Sequence, residues 1–201
     1  MAEKKMYLTE ERGKAKPVFE LLTEIAVVAV LGLFLAHFVF FSVKTESRSM
    51  EPTITPDSIV FVNKSGYVFE NPARFDVVAF YRVRGDEASD ILVRRIIALP
   101  GESIRISRGT VYVNGEALDV SGYVSEITSD GIAEKVIRLS ENEYFVLGDA
   151  PANSEDSRSS TLGCIRRDQL IGRAFLSARS ITDFHLIRGA AGKKNEQAGT
   201  E

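Results

Sequence analysis

Ser47-Arg48-Ser49-Met50-Glu51-Pro52-Thr53 is the stretch at which this chain changes character. Before it lies the only long apolar segment. After it the pattern turns to short β-branched and aromatic runs. Ser and Pro are ordinary turn punctuation, so by itself the stretch reads as a turn. A serine at such a boundary is also where a nucleophile held at a membrane surface would stand, and the flanking sequence has to separate the two readings.

Upstream, Ile25 to Val43 gives 19 residues without Asp, Glu, Lys or Arg, bounded by Glu24 and Lys44. At a rise of ~1.5 Å per residue a helix of that length covers ~28 Å, the hydrocarbon thickness of a bilayer. A cleaved signal peptide has a shorter apolar core and a small-residue cleavage site. The exit Phe40-Phe41-Ser42-Val43-Lys44 has no such site, so a single retained transmembrane helix is expected over residues 18–43. Lys4, Lys5, Arg12, Lys14 and Lys16 precede it, against Lys44 and Arg48 just after. The positive-inside rule then makes 1–17 a cytoplasmic tail and puts the rest of the chain outside the cell membrane. Ser49 lies six residues past Val43. That is a reach of about 20 Å when fully extended, so Ser49 stays near the outer bilayer surface.

Downstream, strand signals recur at Ser58–Val62, Asp76–Tyr81, Ile91–Leu99, Ser103–Ile106, Thr110–Val113, Val136–Leu139, Tyr144–Leu147 and Leu170–Leu176. Asn114-Gly115 is a strong hairpin signal. The pattern predicts a mostly β fold, a compact barrel or sandwich over 44–188. Arg82–Asp90 reads as a charged loop, Asp119–Lys135 as a polar surface excursion and 189–201 as a disordered tail.

Composition excludes several classes. The net charge is −3 over 201 residues, so no basic excess points to nucleic acid. The lone Cys164 rules out an intramolecular disulfide and a multi-cysteine zinc site, and between Gly163 and Ile165 it reads as a small core residue. His37 and His185 stand apart from any metal-like cluster. No cofactor or metal is expected.

Three segments carry the chemistry: Ser47–Thr53, then Val93-Arg94-Arg95-Ile96-Ile97-Ala98-Leu99-Pro100-Gly101-Glu102, then Gly148-Asp149-Ala150-Pro151-Ala152-Asn153-Ser154-Glu155-Asp156-Ser157-Arg158. In this order behind an N-terminal anchor they resemble the type I signal peptidases of bacteria, over most of the chain to about Ala178. The resemblance implies a serine nucleophile with a lysine general base on a mostly β catalytic domain, acting on the signal peptides of exported preproteins beside the lipid bilayer. Carried over by position, Ser49 is the expected nucleophile and Ser47 the oxyanion partner. Ser154 is the serine that orients the base, Asp156 and Arg158 a supporting ion pair, and Met50 and Val93 substrate-groove residues.

The chain departs from the family at the base. The lysine position is Arg94, and a guanidinium stays protonated. Ala150-Pro151 replaces the usual Asn-Arg, and Pro56 replaces a Gly. Two expectations follow. The first is an active signal peptidase. The alternative is a catalytically weak or silent homologue that binds signal peptides or a partner peptidase through the same groove.

Overall fold

The computed structural model describes residues 19–34, 39–84, 87–180 and 182–189. The chain divides into two units, Met1–Val39 and Phe40–Glu201. The described part of the first is one helix, α1, over residues 19–34, exposed throughout. No helix among the described residues is long and apolar enough to cross a membrane. Residues 1–17, residue 18, residues 35–38 with His37, and the tail from residue 190 lie outside the described residues.

The expected helix over 18–43 is corrected at its end. Phe40–Thr45 is a strand, β1, paired residue for residue with β2 (Ser58–Asn63). The sequence FFSVKT explains this. It alternates, so Phe41 and Val43 pack on the core while Phe40, Ser42 and Lys44 face outward. An apolar count alone cannot separate such a strand from the end of a helix.

The second unit is mostly β, and the expected barrel or sandwich takes the form of two antiparallel sheets. Besides β1 and β2 the strands are β3 (Val77–Arg84), β4 (Glu87–Ala98), β5 (Ser103–Ser107), β6 (Thr110–Val113), β7 (Glu116–Leu118), β8 (Ile137–Arg138), β9 (Glu143–Leu147), β10 (Ile165–Arg166), β11 (Leu170–Ser180) and β12 (Asp183–Leu186). The larger sheet runs β1-β2-β11-β3-β4-β9-β10, with β12 beside β11, and the smaller runs β7-β6-β5-β8. A one-turn helix, α2 (Gly66–Phe69), follows β2. The Asn114-Gly115 signal is the β6–β7 turn, with φ of 53° and 86° as a type I′ turn needs. The Pro56 departure is accommodated next door, where Asp57 takes the left-handed conformation at φ 60°.

Two expected surface segments are structural. Residues 82–84 and 87–90 are the paired arms of β3 and β4, while residues 85 and 86 of the expected loop lie outside the described residues. Asp119–Lys135 closes the core instead of leaving it: Val124, Ile127 and Ala133 are buried against Ile104, Ile106, Phe145 and Leu147. Asp130 anchors that segment by accepting the N–H groups of Arg108 and Gly109. These apolar residues are too widely spaced to show a period, so they read as polar chain.

β4 positions the site. It contributes to all three core clusters: Val93 packs with Met50, Ile54, Val60 and Val77, Ile96 with Val78, Phe80 and Val146, and Ile97 with Phe145 and Leu147. A register shift between Ile96 and Ala98 against β9 lets one strand serve several cores. Close backbone approach fixes the neighbouring strands as well. A Cβ on Gly172 of β11 would stand 2.2 Å from the Asn63 carbonyl oxygen of β2. Because that obstacle is backbone, Gly172→Ala is expected to cost about 1–3 kcal/mol of stability, read as a lower urea midpoint; an unchanged midpoint would show that β2 can give way.

Candidate active site

The Ser47–Thr53 segment turns sharply after β1. The Ser49 N–H donates to Ser47 Oγ at 3.1 Å, the Glu51 N–H to the Arg48 carbonyl and the Ile54 N–H to the Met50 carbonyl. Ser49 is buried, and Met50 beside it is a core residue packed in the same cluster as Val93. Met50 thus braces the turn from beneath, while Val93 also lines a groove.

The third box docks on this turn. The Ala150 N–H donates to the Ser49 carbonyl at 2.9 Å. Gly148 makes the approach possible: a Cβ there would lie 2.6 Å from the Ser49 carbonyl oxygen and 2.3 Å from Ser154 Oγ. Ser49 and Ser154 therefore share one small space that only a glycine leaves open. Ser154 Oγ is buried and has no hydrogen-bond partner among the described residues.

Two buried ion pairs hold the boxes. Arg158 grips Asp156 through Nε and Nη2, both at 2.9 Å, and also donates to the carbonyls of Pro151 and Ser129. Asp156 in turn accepts the Gly148 N–H, which fixes the glycine. A solvated Asp156–Arg158 pair is excluded by this burial. The second pair, Arg95–Asp149, is fully buried: Nε donates to Oδ1 at 2.8 Å and Nη2 to Oδ2 at 2.6 Å. The Thr53 hydroxyl donates to the same carboxylate, Arg95 Nη1 donates to the Phe75 and Arg188 carbonyls, and the guanidinium lies 4.6 Å from the centroid of the Tyr123 ring. Thr53, Arg95, Gly148 and Asp149 all lie within the three segments, although position in the sequence alone gives them no role. The signal was present: an Arg beside the base position and an Asp after a Gly are costly to bury unless paired.

Arg94 points away from Arg95, as successive strand residues must. Its Nε donates to the Glu155 carbonyl at 2.9 Å and its Nη1 to the Val93 carbonyl at 2.6 Å. Burial lowers its pKa to about 10, opposed by Asp156 and Glu155. It is therefore a cation at neutral pH and a donor, not an acceptor. No lysine among the described residues takes its place. Lys44 is exposed, bonded to Glu46 and pushed up in pKa by that bond; Lys64 lies over the Phe41 ring; Lys135 is exposed. His185 is exposed and paired with Asp183. Burial raises the Cys164 thiol to about 11, so it is not a nucleophile near neutral pH.

A groove of about 370 Å³ leads to this corner, lined by 43–47 on one wall and 90–94 on the other. Both walls are strand edges. Among the described residues β1 pairs only with β2, and β9 meets β4 only from Arg95 onward. Such a slot suits an extended peptide entering as an added strand. It ends at Ser47 on one side and Arg94 on the other.

The pair beneath the site gives a direct test of its architecture. Asp149→Asn keeps the shape but leaves Arg95 buried without a countercharge. A loss of about 3–5 kcal/mol is expected by urea denaturation, and a loss within error of zero would contradict the bracing role.

The signal peptidase family, peptidase S26, matches residues 18–178 of this chain. Among curated relatives, a probable signal peptidase I-2 of Synechocystis is 32% identical over 160 residues, covering 78% of this chain and 71% of that protein. Signal peptidase I T of Bacillus subtilis is 31% identical over 184 residues, covering 86% and 92%. Signal peptidase I of Bacillus licheniformis is 31% identical over 175 residues, covering 82% and 91%. A family match over residues 18–178, with relatives above 30% identity along most of their length, makes this chain a member of the signal peptidase family, peptidase S26.

Proposed function

We propose that the chain is a membrane-anchored signal peptidase in which Ser49 is the nucleophile. The observation that carries the reading is the strand-edged groove that ends at Ser47 and Arg94, beside the Gly148 gap shared by Ser49 and Ser154. A signal peptide lies extended in the groove and delivers its scissile carbonyl to Ser49. The Ser47 hydroxyl accepts from the Ser49 N–H, so its own proton remains for the developing oxyanion. Relatives at about 30% identity along most of their length are named signal peptidase I, which supports the same substrate class.

The anchor is the uncharged run that begins at Ile25 and precedes β1, with the N-terminus cytoplasmic and the β domain outside. The sheet itself supports a site at the bilayer. Ile59, Ala178 and Phe184 stand side by side across β2, β11 and β12, and Phe40, Ile59, Phe184 and Leu186 are exposed apolar side chains.

Attack by a serine needs a group to take its proton. Arg94 stands at the base position but is charged. With a pKa of about 10, roughly one molecule in a thousand holds it neutral at pH 7. This favours a second reading, in which the chain binds signal peptides or a partner peptidase and cuts weakly or not at all.

The two readings separate in a cleavage assay on a preprotein with a small-residue site. The active enzyme cuts, Ser49→Ala does not, and Arg94→Lys is faster near pH 8 by roughly 10²–10⁴. A rate that depends on neutral Arg94 rises about tenfold per pH unit from 7 toward 10, because the acceptor form appears only as pH approaches the lowered pKa. Cleavage by Ser49→Ala equal to wild type would remove the serine mechanism. No cleavage by wild type, with cleavage restored in Arg94→Lys, would select the silent homologue.

A further inference from the structure

The cations around the site are not alike. Arg82 bonds the carboxylates of Asp90 and Glu155, Arg95 bonds Asp149, and Arg158 bonds Asp156. Arg94, at 4% exposure, is more buried than Arg158, yet both of its hydrogen bonds go to carbonyl oxygens. Among the described residues no carboxylate lies in salt-bridge range of it. Its Nη2 donors meet no protein acceptor there, and the side chain lines the groove. Beside Glu155 sits Ser154, whose buried hydroxyl also lacks a partner. A buried cation with no carboxylate bonded to it and a buried hydroxyl without a partner are each costly when left as they are. Arg94 lines the groove, and Ser154 adjoins the residue whose carbonyl Arg94 bonds; together they describe an anion site.

We propose that this corner binds the free α-carboxylate of a peptide lying in the groove, the new C-terminus that a cleaved signal peptide carries. The inference rests on the reading that signal peptides occupy the groove. The carboxylate takes the open Arg94 donors and the Ser154 hydroxyl, and the peptide backbone pairs with the strand edges at 43–47 and 90–93. Burial already presses the Arg94 pKa down, while Asp156 and Glu155 press it up, Arg82 down and Asp149 up. A bound anion adds the compensation that these neighbours leave incomplete. The arginine therefore does more than remove a base. It gives the pocket affinity for a cleaved peptide end that a neutral amine would lack.

The test uses the full chain in detergent micelles and two fluorescent peptides of one sequence, a signal-peptide C-region ending in Ala-x-Ala. One ends in a free acid and the other in a carboxamide. Neither contains a bond beyond the cleavage point, so residual peptidase activity does not confuse the readout. By fluorescence anisotropy at neutral pH, the free acid binds about ten- to hundredfold tighter. Arg94→Gln abolishes that preference, and Arg94→Lys loses most of it, because a lysine in this buried place is largely a neutral amine. Ser154→Ala weakens the free acid while leaving the carboxamide unchanged. Equal affinity for the two peptides overturns the proposal and leaves the signal-peptide reading standing. Failure of both peptides to bind overturns the two together. Should Arg94→Gln not melt as a folded protein, the wild-type comparison and Ser154→Ala still decide the outcome.

Discussion

The buried ion pair between Arg95 and Asp149 is the constraint on which the site depends. Two charges removed from water are tolerated only when their donors and acceptors are met inside the protein. Here that requirement draws on distant parts of the chain. Thr53 brings the serine turn, Arg95 brings β4, Asp149 brings the third box, and the Phe75 and Arg188 carbonyls complete the shell. Once Arg95 faces this pair, strand geometry sends Arg94 the other way, toward Glu155. Gly148, one residue before Asp149, is then set against the Ser49 carbonyl. The position of the candidate nucleophile is a consequence of satisfying a buried charge.

Scaffold and chemistry part company at the next residue. Everything that positions Ser49 is intact: the Ser47–Ser49 bond, the Gly148 gap and the Asp156–Arg158 floor. What differs from the family pattern the sequence resembles is the residue at the position of its lysine, Arg94 here. A lysine in a buried site without an acid partner can fall toward neutrality. An arginine in the same place keeps its charge, and its planar fork commits it to acceptors such as the Glu155 and Val93 carbonyls. One substitution thus turns an acceptor site into a donor site without disturbing the walls around it. In the proposed reading this separates peptide binding from peptide cleavage.

Much of this was legible in the sequence. Asn114-Gly115 marked a hairpin because only a few residues tolerate two positive φ values in succession. The runs at 58–62, 144–147 and 170–176 became β2, β9 and β11 because β-branched and aromatic residues fit a pleated, buried surface. The three boxes appear close together in the structure because buried charges and a glycine gap require it. Other features were hidden for physical reasons. β1 lay inside an apolar run that hydropathy alone assigns to a helix, and its pairing with β2 is non-local. β12 is short and mixed in polarity, and its existence depends on the adjacent edge of β11. The burial of Val124, Ile127 and Ala133 depends on where an irregular segment lands, which no period records. Ser154 could be assigned by position, but its missing partner could not, since that depends on how the folded chain buries its hydroxyl.

The central claim is that Arg94 is a cation in the working pH range. Nitrogen-15 NMR of guanidinium-labelled protein, with the Arg94 signal assigned by its loss in Arg94→Lys, reads this directly. The account predicts a protonated Arg94 Nε–H resonance that stays unchanged from pH 6 to about 9, since the lowered pKa remains near 10. A titration of that resonance centred near pH 7 would contradict it and return Arg94 to the role of a base.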